Sequence, residues 1–152
     1  MPEAVTARVI TVTRVLDAPR ELVWSAFTEP GQLARWWGPP GWSTDPADVA
    51  MDVRPGGEFS ITSVSDEGER MPVVAVYRAV AEPERIVMEE PAESNWHEGA
   101  ITEVIFTDLG DGRTELVLRS TIRTSDEMIR QAEGGMNASV DRLAELVAGG
   151  GR

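Results

Sequence analysis

The sequence predicts an α+β domain: a curved antiparallel β-sheet wrapped around a long C-terminal α-helix, with two short helices after the first strand. Three observations carry this. β-Type segments follow one another across short turn signals such as Arg54-Pro55-Gly56-Gly57 and Gly110-Asp111-Gly112, which join neighbours as hairpins and so build an antiparallel sheet. Ile129, Ala132, Met136, Val140, Leu143 and Val147 recur three or four residues apart, the spacing of an amphipathic helix of about six turns. A sheet must cover its apolar face, and no other helical segment here is long enough to do so.

Each element follows in order. Thr6 to Leu16 is rich in β-branched residues and alternates, which predicts a strand partly covered on both faces. Asp17-Ala18-Pro19 is a helix-entry signal; Leu22, Val23, Ala26 and Phe27 then fall at helical spacing until Pro30-Gly31. A second short helix is expected over Gln32 to Trp37, stopped by Gly38-Pro39-Pro40-Gly41. Val49, Met51 and Val53 alternate with Asp48, Ala50 and Asp52 as a strand, and Phe59, Ile61 and Ser63 share one face of the next. Met71 to Val80 and Arg85 to Glu90 are strands either side of Glu82-Pro83-Glu84. Pro91 to Gly99 is a polar loop with Trp96 and the single histidine, His97. Ile101 to Leu109 and Thr114 to Arg123 form the last hairpin. Thr124-Ser125-Asp126-Glu127 fits a capping box with Thr124 as the cap.

Composition narrows the function classes. The chain has 152 residues, 41% of them hydrophobic, and no cysteine, so disulfides, thiol nucleophiles and thiolate zinc sites are excluded. One domain is expected over residues 1–152, with a core from 6 to 148. Fourteen arginines, no lysine and twenty-six acids give a net charge of −12, which repels nucleic acid and anionic lipid. No apolar run approaches the ~20 residues of a membrane span. The first segment lacks a signal-peptide pattern, so a cytoplasmic protein is expected.

The phrases "APRELVWSAFTEPGQLARWWGPPGW", "DVRPGGEFSI", "VYRAVAEPERIVMEE", "GRTELVLRSTI" and "GGMNASVDRLAELV" resemble the helix-grip (START/Bet v 1-like, SRPBCC) superfamily. Within it they resemble the bacterial group related to the activator of Hsp90 ATPase. The likeness runs from Thr6 to Ala148; Ala75 departs from it, standing where many relatives carry glycine. It implies a helix-grip fold, an architecture shared by small-molecule binders, cyclases and co-chaperones, so function has to be argued from the site.

Catalytic constellations are thin. There is no Gly-x-Ser-x-Gly elbow and no metal-ligand spacing. No Lys-Ser/Thr and helix follow Arg54-Pro55-Gly56-Gly57, so phosphate binding is not expected there; Gly56 and Gly57 are expected at positive φ, and Asp52 and Arg54 to pair. Of the clustered tryptophans, Trp36 is expected to anchor the second helix, and Trp37 and Trp42 to shape an entrance. Gly134-Gly135 would leave room between helix and sheet, and Met128 and Met136 would give that room adaptable walls. Glu90 would be a carboxylate at the rim if it faces inward with Ile86 and Met88. His97 is expected to be solvated.

The expected task is binding a small hydrophobic or aromatic molecule in a cavity between sheet and C-terminal helix, with no chemistry, metal or cofactor. Its walls are expected to be Phe59, Ile61, Val76, Met88, Phe106 and Leu118 from strands and Met128, Ala132, Met136 and Val140 from the helix. Arg78, Glu90 and Ser120 are the candidate polar anchors. In the strand Met71 to Val80, Val73, Ala75 and Tyr77 form a competing inward set. A cyclase- or dehydratase-like enzyme orienting an aromatic or polyketide-like substrate is the first alternative, and it requires a buried ionisable group in the cavity. A co-chaperone-like partner of an Hsp90-type ATPase is the second; it needs an exposed complementary patch rather than a hole, and a collapsed interior beside an exposed tryptophan surface would favour it. No nucleic-acid or membrane partner is expected; a homodimer stays open.

Overall fold

The computed structural model describes residues 5–92 and 97–149; Trp96 lies outside them. Seven antiparallel strands form one sheet in the order β1-β7-β6-β5-β4-β3-β2. They are β1 (Thr6–Leu16), β2 (Trp42–Met51), β3 (Glu58–Ser65), β4 (Arg70–Ala81), β5 (Arg85–Glu90), β6 (Ala100–Asp108) and β7 (Thr114–Thr124). From β2 to β7 each strand pairs with its successor, as hairpin signals dictate. β1 closes the series by pairing with β7 from Thr6↔Thr124 to Leu16↔Thr114.

This order decides where the tryptophans go. β1 and β2 occupy opposite edges, so residues 17–41 must cross the whole sheet, six interstrand gaps or about 29 Å at ~4.8 Å each. The crossing contains α1 (Arg20–Thr28) and α2 (Pro30–Leu33). α2 is shorter than the helix expected over Gln32 to Trp37: it begins on Pro30 and ends at Leu33, after which the chain turns toward Gly38, at φ +99°. A layer lying across a sheet face has to bury large apolar groups, and the tryptophan-rich segment supplies them.

α3 (Asp126–Ala148) packs on β1, β7 and α1. It runs in the direction of β1: Asp126 pairs with Arg8 near the start of that strand, and Asp141 with Arg14 near its end at 2.7 Å. Its second half is fully seated, with Val140, Leu143, Leu146 and Val147 buried, whereas Ile129, Ala132 and Met136 of its first half are half-buried. Ser125, not Thr124, caps it, accepting from the Met128 amide. Thr124 is still paired in the sheet with Thr6, which displaces the cap by one residue.

Two further expectations change. β2 starts at Trp42, with an irregularity between Thr44 and Val49; Pro46 is tolerated there because this is an edge strand. Of the turn glycines, Gly56 has φ +84°. Gly57 is required instead by close approach, since a Cβ there would lie 1.9 Å from the Asp52 carbonyl oxygen. Arg54 pairs with Asp52 at 2.8 Å, as expected.

Candidate ligand-binding site

The crossing segment is fixed at three points. Trp36 is 3% exposed, and its indole Nε1–H donates to the Ala26 carbonyl at 2.9 Å. In a continuing helix that carbonyl would accept from residue 30, but Pro30 has no N–H; the indole stands in for it. Ser139 Oγ and Arg142 of α3 both donate to the Gly38 carbonyl, at 2.8 and 3.1 Å. Arg142 also reaches the Arg35 carbonyl.

Ring contacts then run without a break beneath the sheet. Trp24 meets Phe106, Phe106 meets Phe27, and Phe27 meets Trp36, with centroids 4.8–5.2 Å apart. The series continues from Trp36 to Trp37, Phe59 and Tyr77 at 6.1, 5.7 and 6.2 Å. The first part is solid core. The second reaches β3 and β4 through Phe59 and Tyr77.

Registers fix what faces that region. One inward row crosses the sheet as Ile10, Ser120, Thr102, Met88 and Tyr77. Its hydroxyls pair, Thr102 Oγ1 to Ser120 Oγ at 2.6 Å. Met88, Trp37, Ala132 and Met136 are half-buried against the core. Tyr77 is 1% exposed; the buried side-chain polar atom left without a partner among the described residues is Arg20 Nε, not the Tyr77 hydroxyl. Burial, and after it the charge of Asp52, push its pKa up to about 12, so at neutral pH it is a protonated phenol.

Glu90 lies two residues beyond Met88 on the same face of β5, roughly 7–8 Å diagonally from Tyr77. Its Oε1 is 3.2 Å from His97 Nε2. The Gly99 amide donates to His97 Nδ1 at 2.9 Å, so Nδ1 is the acceptor nitrogen and the ring proton sits on Nε2, aimed at the Glu90 carboxylate. The His97 side chain is wholly buried and that of Glu90 is 24% exposed. His97 was expected to be solvated; instead it is a strut that orients Glu90.

The expected wall residues divide into groups. Phe59, Ile61, Leu118, Met88, Glu90 and Ser120 face inward, with Ala132 and Met136 on the helix side. Phe106 is consumed by Trp24 and Phe27, and Val140 is sealed in the core. Trp42 and Met128 are half-buried and stand outside the packed apolar cluster. Val76 and Arg78 are corrections: they lie on the outer face, where Val76 is opposite Glu89 and Arg78 pairs with Glu89 at 2.8 Å. The inward set of β4 is Val73, Ala75 and Tyr77, and an irregularity after Tyr77 brings Val80 inward too. Gly134 is exposed, so it does not hollow out the interface; Gly135 faces Pro39. Tyr77, Thr102 and His97 were not among the expected site residues. Tyr77 was legible through its alternation with Val73 and Ala75; His97 carried no local signal.

A separate concavity of about 500 Å³ lies at the β2–β3 turn, lined by Ala50, Asp52, Arg54, Glu58, Ser60 and Val74 among others. Its lining mixes the exposed Asp52–Arg54 pair with apolar surface from Met51, Phe59 and Val74. Among the described residues no cluster of three or more histidines and acids could hold a metal, and no helix is long and apolar enough to cross a membrane.

A curved antiparallel sheet, short crossing helices and a long C-terminal helix define a helix-grip α+β protein. The chain belongs to the Activator of Hsp90 ATPase homolog 1-like protein family, whose model matches residues 17–148. No curated protein matches it in sequence. Among solved structures it is similar to protein CV1439 of Chromobacterium violaceum, with 26% identity, 92% of this chain and 96% of that one covered, and a TM-score of 0.79. The AHSA1 protein SPO3351 of Silicibacter pomeroyi shares 21% identity over 93% and 98% of the two chains, TM-score 0.79. CalU16 of Micromonospora echinospora shares 22% over 97% and 85%, TM-score 0.67. The last two likenesses concern the fold alone.

Proposed function

We propose that this protein binds a small hydrophobic or aromatic molecule between the inner face of β3–β6 and the first half of α3, without transforming it. One observation carries the reading: the apolar side chains of Trp37, Met88 and Met136 are only half-buried against the core, in the part of the fold that holds Phe59 and Tyr77. A ligand covering these apolar walls would remove their remaining surface from water, and one polar group on it could pair with the Tyr77 hydroxyl. The site is proposed to act in the cytoplasm, within one domain.

The test is calorimetric titration with 1-naphthalenemethanol. Wild type is expected to bind one equivalent. Met136→Trp, which enlarges a half-buried side chain on the helix side of the proposed site, is expected to abolish binding while retaining the melting temperature. Absence of binding to wild type, or unchanged binding by the variant, overturns the reading.

The buried ionisable groups Tyr77 and His97 favour the cyclase-like alternative as second reading. Both His97 nitrogens are committed to bonds, however, which leaves Glu90 as the group able to take a proton from a substrate. The co-chaperone reading ranks below both, because Trp36 and Trp37 turn toward the core rather than outward.

A further inference from the structure

We propose that the ligand of this site is a hydrophobic amine, bound as its ammonium ion against the Glu90 carboxylate. The inference rests on the reading that the inner face is a binding site, and deepens it.

Glu90 is half-buried, and among the described residues its carboxylate meets the Nε2–H of His97. Among the described residues no arginine pairs with it. Arg8, which faces inward in the same transverse row, is three strands away, about 14 Å at ~4.8 Å per strand, and is engaged by Asp126 and the Thr124 carbonyl. Arg78 and Arg85 are paired on the outer face with Glu89 and Glu103, and the chain contains no lysine. A partly desolvated carboxylate held in place without a cation is a site for one. His97 fixes Oε1 and leaves Oε2 to the ligand.

The surroundings agree. Tyr77 and Phe59 present ring surface on the same inward face, and aromatic faces attract a partly desolvated ammonium. The Tyr77 phenol oxygen can accept a second ammonium hydrogen. A net charge of −12 raises the local concentration of cations and repels carboxylic acids. Fatty acids and aromatic acids are therefore disfavoured occupants.

The test uses three ligands of one shape: 1-naphthylmethylamine, 1-naphthalenemethanol and 1-naphthoate. The amine is expected to bind at least about tenfold more tightly than the naphthoate, the scale of a charge-assisted hydrogen bond. Glu90→Gln, which keeps the acceptor for His97 Nε2, should bring the amine to within about twofold of the alcohol. Glu89→Gln, which removes a neighbouring charge on the outer face, should preserve the amine preference. If the alcohol binds but the amine has no advantage, or Glu89→Gln erases that advantage as fully as Glu90→Gln, the amine assignment is overturned and the binding site stands. If none of the three binds wild type, both fall. The wild-type comparison decides the matter even if Glu90→Gln does not fold.

Discussion

Replacing Trp36 with phenylalanine isolates the role of the crossing segment. The change removes the 2.9 Å bond from the indole to the Ala26 carbonyl. Pro30 cannot replace that donor, and the buried location keeps water from doing so. An unsatisfied buried carbonyl costs about 1–3 kcal/mol. The smaller ring, packed against Phe27 and Trp37, loses about 1 kcal/mol more in contact. The sum is about 2–4 kcal/mol, or a fall in Tm of roughly 5–15 °C for a chain of this length. Urea denaturation followed by circular dichroism at about 222 nm measures it without relying on the lost fluorophore. The parallel Trp37→Phe variant, at a half-buried ring, should lose less than about 1 kcal/mol. A loss below about 1 kcal/mol for Trp36→Phe, or a larger one for Trp37→Phe, would refute the assignment of Trp36 as the structural anchor.

Gly57→Ala places a methyl 1.9 Å from the Asp52 carbonyl oxygen and should destabilise by at least about 2 kcal/mol in the same assay. Gly134→Ala meets nothing within 4 Å and should stabilise by about 0.8–1 kcal/mol through helix propensity. Tyr77 is the single tyrosine, so absorbance near ~295 nm titrates it alone, with a midpoint expected near 12 in the folded protein against 10.0 for the free side chain. A raised folded pKa means its contribution to stability is intact below pH 10 and is lost as pH rises from 10 to 12; a midpoint near 10 would place the phenol in solvent.

The architecture was legible because its signals are local. Turn residues mark the hairpins, and the spacing from Ile129 to Val147 marks α3. The placement of Glu90 was also legible, through alternation with Ile86 and Met88. Face assignment in β4 was not, because Val74 and Val76 on one side and Val73, Ala75 and Tyr77 on the other are both apolar. Long-range packing decided between them. Phe106 and Val140 show the same limit from another direction: both point inward as expected, but only their neighbours reveal that they belong to filled core rather than to a wall. His97 bonds Glu90 and the Gly99 amide, and the neighbouring Glu98 and Gly99 backbone pairs with Arg123; nothing in the sequence adjacent to it signals either.

The most direct test of the central claim, that a small apolar molecule lodges between the inner sheet face and the first half of α3, uses the six methionines as reporters. With ¹³C-labelled methionine methyl groups, addition of 1-naphthalenemethanol should shift the resonances of Met88 and Met136 saturably and leave that of Met51, on the edge strand β2, in place. Unmoved Met88 and Met136 signals, or shifts confined to Met51 beside the outer concavity, would contradict it.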